Sequence, residues 1–330
     1  MIKSEIKSKI LSSLNPNIIK NSIFFDYDVG AQTWFGVGGK ADVLFVPRNY
    51  IELKKFLSIL PTGIEIHLIG LCSNLLIRDG GLEGVTIKLG KGFRNIEINN
   101  DLIKVGAGVP DKYLSRFCLE NSLGGFEFFY GIPGNIGGAV SMNAGCYGGE
   151  ISDIFVSAKC MDYFGNETEL KKYEHLFSYR NINLLKNNIF TEITFHAKKG
   201  NEIEIKNRME YINQSRISAQ PQKVRTGGST FKNPDSSVTN KKAWELINEV
   251  NHQSHNDIKL SDKHCNFIIN KQKKSANMIE DFGENIRSKV FSKTGILLEW
   301  EIKIIGKVKI RNLKKLCLYT EEFLLKGKLV

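Results

Sequence analysis

Glycine carries the densest chemical signal in this chain. The run Gly131-Ile132-Pro133-Gly134-Asn135-Ile136-Gly137-Gly138-Ala139-Val140 is followed closely by Gly145, Gly148 and Gly149. Two shorter loops, Gly70-Leu71-Cys72-Ser73-Asn74-Leu75 and Phe35-Gly36-Val37-Gly38-Gly39-Lys40, adjoin apolar, strand-like text. Glycine lets backbone N–H groups come close to a phosphate, and successive N–H groups form anion-binding nests. One such loop reads equally well as a tight turn; three in one region point to a dinucleotide. Neither standard phosphate motif fits. Ala41 stands where a P-loop needs Ser or Thr for magnesium, and G-x-x-G-x-x-G-G over Gly131–Gly138 is not the G-x-G-x-x-G of a Rossmann turn. Downstream, Gly227-Gly228-Ser229 lets a hydroxyl project into a cleft, and Arg180 offers the planar fork that grips a carboxylate bidentately. Glu299 and Glu301 lie within the apolar alternation Leu298–Ile305, where a buried carboxylate costs free energy unless it is paired or used.

These residues must be positioned by two kinds of chain. Residues 2–14 read as a short amphipathic helix, with Ile2, Ile6, Ile10 and Leu14 four apart. From about Phe24 to Lys198 short apolar runs dominate: Ala41–Pro47, Ile64–Gly70, Gly84–Leu89 and Ile103–Gly106 have the pattern of strands buried on both faces. Helices are predicted near Tyr50–Leu60 and Asp111–Asn121, and a hairpin over Phe155–Leu170 turning at Phe164-Gly165-Asn166. Beyond Lys199-Gly200 the text turns helical, over Glu202–Ser218, Lys241–Val250 and Ser275–Thr294, the last stopped by Gly295. Strands His264–Asn270 and Ile296–Ile305 are expected to flank that last helix. The expected division is an N-terminal helix (1–25), a cofactor-binding domain (26–200), a substrate-binding α+β domain (201–306) and a tail (307–330), either a docking helix or a mobile end.

At 330 residues, 42% hydrophobic and 25% charged, the chain is long enough for two or three domains and ordinary in composition, which excludes disordered and collagen-like classes. No apolar stretch approaches a membrane span, and no secretory pattern opens the chain. The six cysteines, Cys72, Cys118, Cys146, Cys160, Cys265 and Cys317, form no C-x-x-C pair or zinc spacing. Free thiols, no metal and a cytoplasmic location follow as expectations. Lys and Arg total 46 against 35 Asp and Glu, a net +11 spread along the chain without a dense basic stripe. That suits a phosphorylated small molecule and solvated surface better than nucleic acid.

The motifs then converge. GLCSNLLIRD (Gly70–Asp79), GIPGNIGGAVSMNAGCYGGE (Gly131–Glu150) and GSTFKNP (Gly228–Pro234) together resemble the UDP-N-acetylenolpyruvoylglucosamine reductase family. Phe177–Arg180, Gln220-Pro221-Gln222, His264–Asn270 and the closing LEWEIKIIG (Leu298–Gly306) match in the same order. The serine loop and the closing segment discriminate most, and the Tyr-Arg block resembles the shorter, second type of the family. The family carries glycine where Leu71 and Cys72 stand, and serine after its Tyr-Arg block, where this chain has Asn181 and Ile182.

The resemblance implies an FAD domain of the vanillyl-alcohol-oxidase type followed by a smaller α+β substrate-binding domain, with NADPH as reductant and a UDP-linked amino sugar as substrate. The implied reaction reduces the enolpyruvyl ether to a lactyl ether in peptidoglycan precursor synthesis. By resemblance Ser229 donates the proton, while Arg180 and Glu301, chosen over Glu299, stabilise the enolate. Gly70, Ser73, Asn74 and Leu75 of the first loop would hold FAD. So would Gly131, Ile132, Pro133, Gly134, Asn135, Gly137, Gly138 and Ala139 of the second. Arg216 and Gln220 would meet the substrate diphosphate, with Lys232 and Asn233 on the uridine side. His264, a lone histidine beginning a strand, is expected to be structural. A monomer without nucleic-acid or membrane partners is expected. An FAD oxidase of another small molecule, a flavin module without turnover, and a nucleic-acid binder are the competing classes. Flavin bleaching by NADPH separates the first two, and salt-dependent retention on DNA tests the third.

Overall fold

The computed structural model describes residues 7–8, 10–12, 21–183, 187–250 and 257–309. Of the predicted N-terminal helix, 7–8 and 10–12 are helical, and Ile10 is buried against Phe45 and Phe56; the rest of 2–14 lies outside the described residues. The tail beyond 309 also lies outside them.

Two sheets build the N-terminal part. In the first, Ile23–Tyr27 runs antiparallel to Ala41–Phe45, which pairs in parallel with Leu82–Ile87, itself parallel to Ile66–Leu68. Leu82–Ile87 is almost continuously buried, as its apolar run requires. The helix Tyr50–Ile59 covers this sheet; Asn49 caps it by accepting from the Glu52 amide, and Phe56 stacks on Phe45. The second sheet is antiparallel and five-stranded, in the order Glu167–Lys171, Phe155–Asp162, Asn188–His196, Leu102–Gly106, Ile96–Asn99. Its predicted hairpin turns where Asp162 accepts from the amides of Phe164 and Asn166 at 2.8 Å. Helices Asp111–Glu120 and Ile136–Val140 share its core, with Leu114, Ile136 and Val140 against Ile103, Val105 and Ile193.

Helix Glu202–Ala219 packs on the Asp111–Glu120 helix and the turn Glu127–Gly131, so the first element beyond residue 200 still leans on the N-terminal part. The later chain centres on Ala276–Thr294, whose Ile279, Phe282, Ile286 and Val290 are buried. Ser275 caps its start and Gly295, at φ +73°, ends it as the sequence predicts. Gly283 is glycine inside a helix because a Cβ there would run into the Trp300 ring. This core incorporates Phe35 and Leu76 from the N-terminal part. Three further ties join the halves. Strand Lys303–Ile305 pairs in parallel with Leu75–Ile77; Arg78 holds Glu280 bidentately; and Asp79 accepts from the amides of Ala276 and Asn277, both at 3.0 Å.

Ile64–Gly70 is strand only over Ile66–Leu68, and two expected strands of the later chain are also shorter than their apolar text. Of His264–Asn270 only Ile268–Asn270 is extended, paired with Ile258–Leu260, because the Phe267 amide turns back to the His264 carbonyl. Of Ile296–Ile305 only Lys303–Ile305 is strand. Ahead of it Trp300 bridges Phe231, and the Thr230 carbonyl accepts from the amides of both Glu301 and Ile302, which bends the chain. Apolarity there reports burial, not extension.

Candidate active site

The first two glycine loops form one wall. Ser73 donates to the Pro133 carbonyl at 2.6 Å, and Gly70 leaves the space that the Asn135 Oδ1 occupies, while the Asn135 amide group donates to the Ala107 carbonyl at 2.9 Å. The wall faces a cleft of about 520 Å³, within the size range of small-molecule sites. Gly70, Ser73, Asn74, Leu75, Gly131–Asn135, Gly138 and Ala139 all line it. A Cβ on Gly131 would lie 2.9 Å from both the Cys146 Sγ and the Ile212 Cγ2, so the close packing of this loop tolerates no side chain there. Cys72, at φ +54° and buried, takes a left-handed conformation that glycine adopts most easily.

Two sequence expectations need correction here. Gly137 does not line the cleft: its amide donates to the Ala107 carbonyl at 2.8 Å, and its missing side chain serves the approach to Ala107. The third glycine loop is also elsewhere. Gly38 packs on the Ile77 carbonyl, and Gly39 donates to Arg78 at 3.1 Å, so its glycines serve backbone-on-backbone packing.

Ser229, Arg180 and Glu301 line the same cleft. Arg180 stands in the turn between the short strands Phe177–Ser178 and Asn181–Ile182, at φ +54°. A non-glycine residue held there stores strain of about 1 kcal/mol or more. Its guanidinium donates through Nε to Glu301 Oε1 at 3.1 Å and through Nη2 to the Gly145 carbonyl at 3.0 Å. Burial pushes the Glu301 carboxyl above the ordinary carboxylate range, against the opposing pull of Arg180 and then Lys232. Ser229 follows Gly228, at φ +86°, and the loop is held by the Thr230 amide on the Asn266 carbonyl at 2.7 Å. Asn74 reaches across to donate to the Glu301 carbonyl at 3.0 Å, so the glycine wall and the catalytic candidates share one frame.

Arg216 and Gln220 line the same cleft and bond each other at 3.0 Å. Burial lowers the Arg216 guanidinium from its usual range. Lys232 and Asn233 do not line it. They face a second cavity of about 580 Å³ beside Tyr179, where Lys232 pairs with Glu299 at 3.2 Å and Asn233 accepts from the Ala243 amide. His264 is half-buried among Trp244 and Phe267 and is absent from the cleft lining. Sequence reasoning missed Asp111 and Lys303. Lys303 lies in the closing motif and lines the cleft with its ammonium pushed below its usual range by burial. Asp111 follows a proline, and only its position under the second loop gives it away. Among the described residues no helix is long and apolar enough to cross a membrane.

Residues 220–305 match the UDP-N-acetylenolpyruvoylglucosamine reductase C-terminal domain, and residues 41–171 match an FAD-binding domain. The UDP-N-acetylenolpyruvoylglucosamine reductase of Rickettsia massiliae is 44% identical over 292 residues, 88% of this chain and 98% of that protein. That of Rickettsia bellii is 44% identical over 303 residues, 91% and 99% of the two chains. Among solved structures, the UDP-N-acetylenolpyruvylglucosamine reductase of Thermus caldophilus superposes with a TM-score of 0.73 at 28% identity, over 86% of this chain and 97% of that one.

Proposed function

The chain belongs to the UDP-N-acetylenolpyruvoylglucosamine reductase family, FAD-dependent oxidoreductases of peptidoglycan synthesis, and on that premise we propose how its residues divide the work. The cleft fits the cofactor: glycine-rich backbone lines it, and the buried Asp111 carboxyl that also lines it has no hydrogen-bond partner among the described residues. Gly70, Ser73, Asn74, Leu75, Gly131–Asn135, Gly138 and Ala139 would hold FAD there. Bound FAD supplies the hydride for the enolpyruvyl group, taken in turn from NADPH.

The chain's own groups handle charge and proton. Arg180, aligned by Glu301 and Gly145, faces the carboxylate on which negative charge builds, and its planar fork matches that group in geometry and sign. Ser229 Oγ–H is the proton donor to the α-carbon, and no bond of its loop has to break for it to act. Glu301 keeps Arg180 in place, and burial raises its carboxyl from the usual carboxylate value, which favours sharing a proton beside the enolate. Arg216 and Gln220 meet the diphosphate. Lys232 and Asn233, which line the second cavity with Tyr179, take the uridine end. On this reading residues 26–200 carry the flavin and 201–306 the sugar nucleotide, and the enzyme acts as a cytoplasmic monomer without nucleic-acid or membrane partners.

The observation behind this assignment is the Arg180–Glu301 contact, formed across 121 residues of sequence on the cleft that also receives Ser229. Anaerobic NADPH should bleach the protein-bound flavin, and UDP-N-acetylglucosamine enolpyruvate should then restore its colour without oxygen. A flavin bleached by NADPH but indifferent to the enolpyruvyl substrate would defeat the proposal.

A further inference from the structure

Asp111 opens the helix Asp111–Glu120 directly beneath the second glycine loop, its amide donating to the Gly134 carbonyl at 3.1 Å. The residue is fully buried, it lines the cleft, and among the described residues neither carboxyl oxygen has a hydrogen-bond partner. A Cβ placed on Gly134 would lie 2.8 Å from Asp111 Oδ2 and 3.7 Å from Ser73 Oγ, so the carboxyl supports the loop from within. Buried polar groups without partners are rare, because each leaves its desolvation uncompensated, the more so when charged. Such a group beside a ligand cleft points to a partner that arrives with the ligand.

The surroundings decide its ionisation state. The Cys146 thiol, which lines the same cleft and is pushed up to about 11 mainly by burial, feels the Asp111 carboxyl, and it also feels Arg216 of the Glu202–Ala219 helix. On its own helix Lys112 and Arg116 turn to the Tyr130 ring. None of these cations bonds to Asp111, and burial raises its carboxyl well above the carboxylate range. A diphosphate brought against an ionised carboxylate would raise it further by like-charge repulsion.

We propose that Asp111 is a cofactor-binding residue: its carboxyl, in the neutral form, donates a hydrogen bond to a phosphate oxygen of FAD lying over the Gly131–Asn135 loop. The inference rests on the assignment of FAD to this cleft.

The experiment is FAD titration of the apoprotein for wild type, Asp111→Asn and Asp111→Leu, with infrared difference spectra of the FAD-bound against the apo form. Asparagine keeps a donor of the same shape, so its FAD dissociation constant should stay within about threefold of wild type. Leucine fills the space without a donor and should weaken FAD by about 10- to 100-fold, the worth of a hydrogen bond to a charged group. In wild type the carbonyl stretch of a protonated carboxyl should move to lower frequency on adding FAD, and Asp111→Asn should lack that band. Equal losses in the Asn and Leu variants, undiminished affinity in Asp111→Leu, or a band that FAD does not move would each overturn the proposal. Should Asp111→Leu not fold, the Asn variant and the infrared band decide. A wild type that takes up no FAD overturns the cofactor assignment itself, an outcome separate from any difference among the variants.

Discussion

Replacing Ser229 by alanine separates chemistry from scaffolding, because the loop does not rely on the hydroxyl it displays. Its turn is set by Gly228 at φ +86°. Its closure depends on Asn266, which accepts from the Thr230 amide at 2.7 Å and the Phe231 amide at 3.0 Å and donates to the Phe231 carbonyl at 2.8 Å. The Thr230 hydroxyl adds an acceptor for the Ile268 amide at 3.2 Å. All four bonds survive in Ser229→Ala, so unfolding free energy should change by less than about 0.5 kcal/mol. Flavin reduction by NADPH needs no proton at the enolate carbon and should keep its rate. The second half-reaction loses its positioned donor and should slow by ~10²–10⁴, about 2.7–5.5 kcal/mol of barrier. Stopped-flow absorbance of the flavin reads both halves in one sample. The reasoning is refuted if the variant reoxidises with the enolpyruvyl substrate at the wild-type rate, or if reduction by NADPH slows as much as reoxidation.

Glu301→Gln should impair the same second half-reaction, whereas Glu299→Gln, removing a carboxylate that is 75% exposed and bonded to Lys232 at the surface, should be mild; the reverse pattern in stopped flow would reassign the catalytic carboxylate. Because burial raises the Glu301 carboxyl, its neutral form stabilises the native state below about pH 4.5, and that contribution fades as pH rises through its native value. Glu301→Gln should therefore gain thermal stability relative to wild type between pH 4 and pH 7, with a flat difference counting against it. Arg180→Lys replaces a planar fork by a point charge and should slow reoxidation by at least tenfold without affecting reduction by NADPH, provided flavin content is unchanged. Asp79→Ala removes the acceptor of two hydrogen bonds donated by first-turn amides of Ala276–Thr294 and should cost about 1–2 kcal/mol in urea unfolding; an unchanged midpoint would mean that Ser275 alone suffices as a cap.

Legibility in the sequence followed the range of the forces involved. Helix Ala276–Thr294 was readable to within a residue because Ser275, the apolar spacing and Gly295 are local signals. The glycine wall was readable because glycine reports a backbone need whatever its cause, and that same generality misled at Gly137 and Gly38, where the need is contact with Ala107 and Ile77. Glu301 could be chosen over Glu299 by motif, although both occupy the same apolar text; geometry separates them, one beside Arg180 and one beside Lys232. Asp111 was invisible because its significance lies in a missing partner, and no sequence pattern records what a side chain fails to touch. The truncated strand at Ile296–Ile305 reflects a long-range competitor, the Thr230 carbonyl, which takes the amides that a ladder would have used.

The pairing of Lys303–Ile305 with Leu75–Ile77 also orders events at the ribosome. Arg78 and Gly306, bonded in the finished fold, lie 228 residues apart, so at ~5–20 residues per second roughly 10–45 s separate their synthesis. During that interval Leu75–Ile77 is an apolar edge without its neighbour, open to pairing with other chains. Glu301 and Ser229, which line the cleft, are missing for much of the same time. Ribosome-stalled chains ending before residue 300 should therefore fail to turn over the enolpyruvyl substrate, even where residues 26–200 already hold flavin.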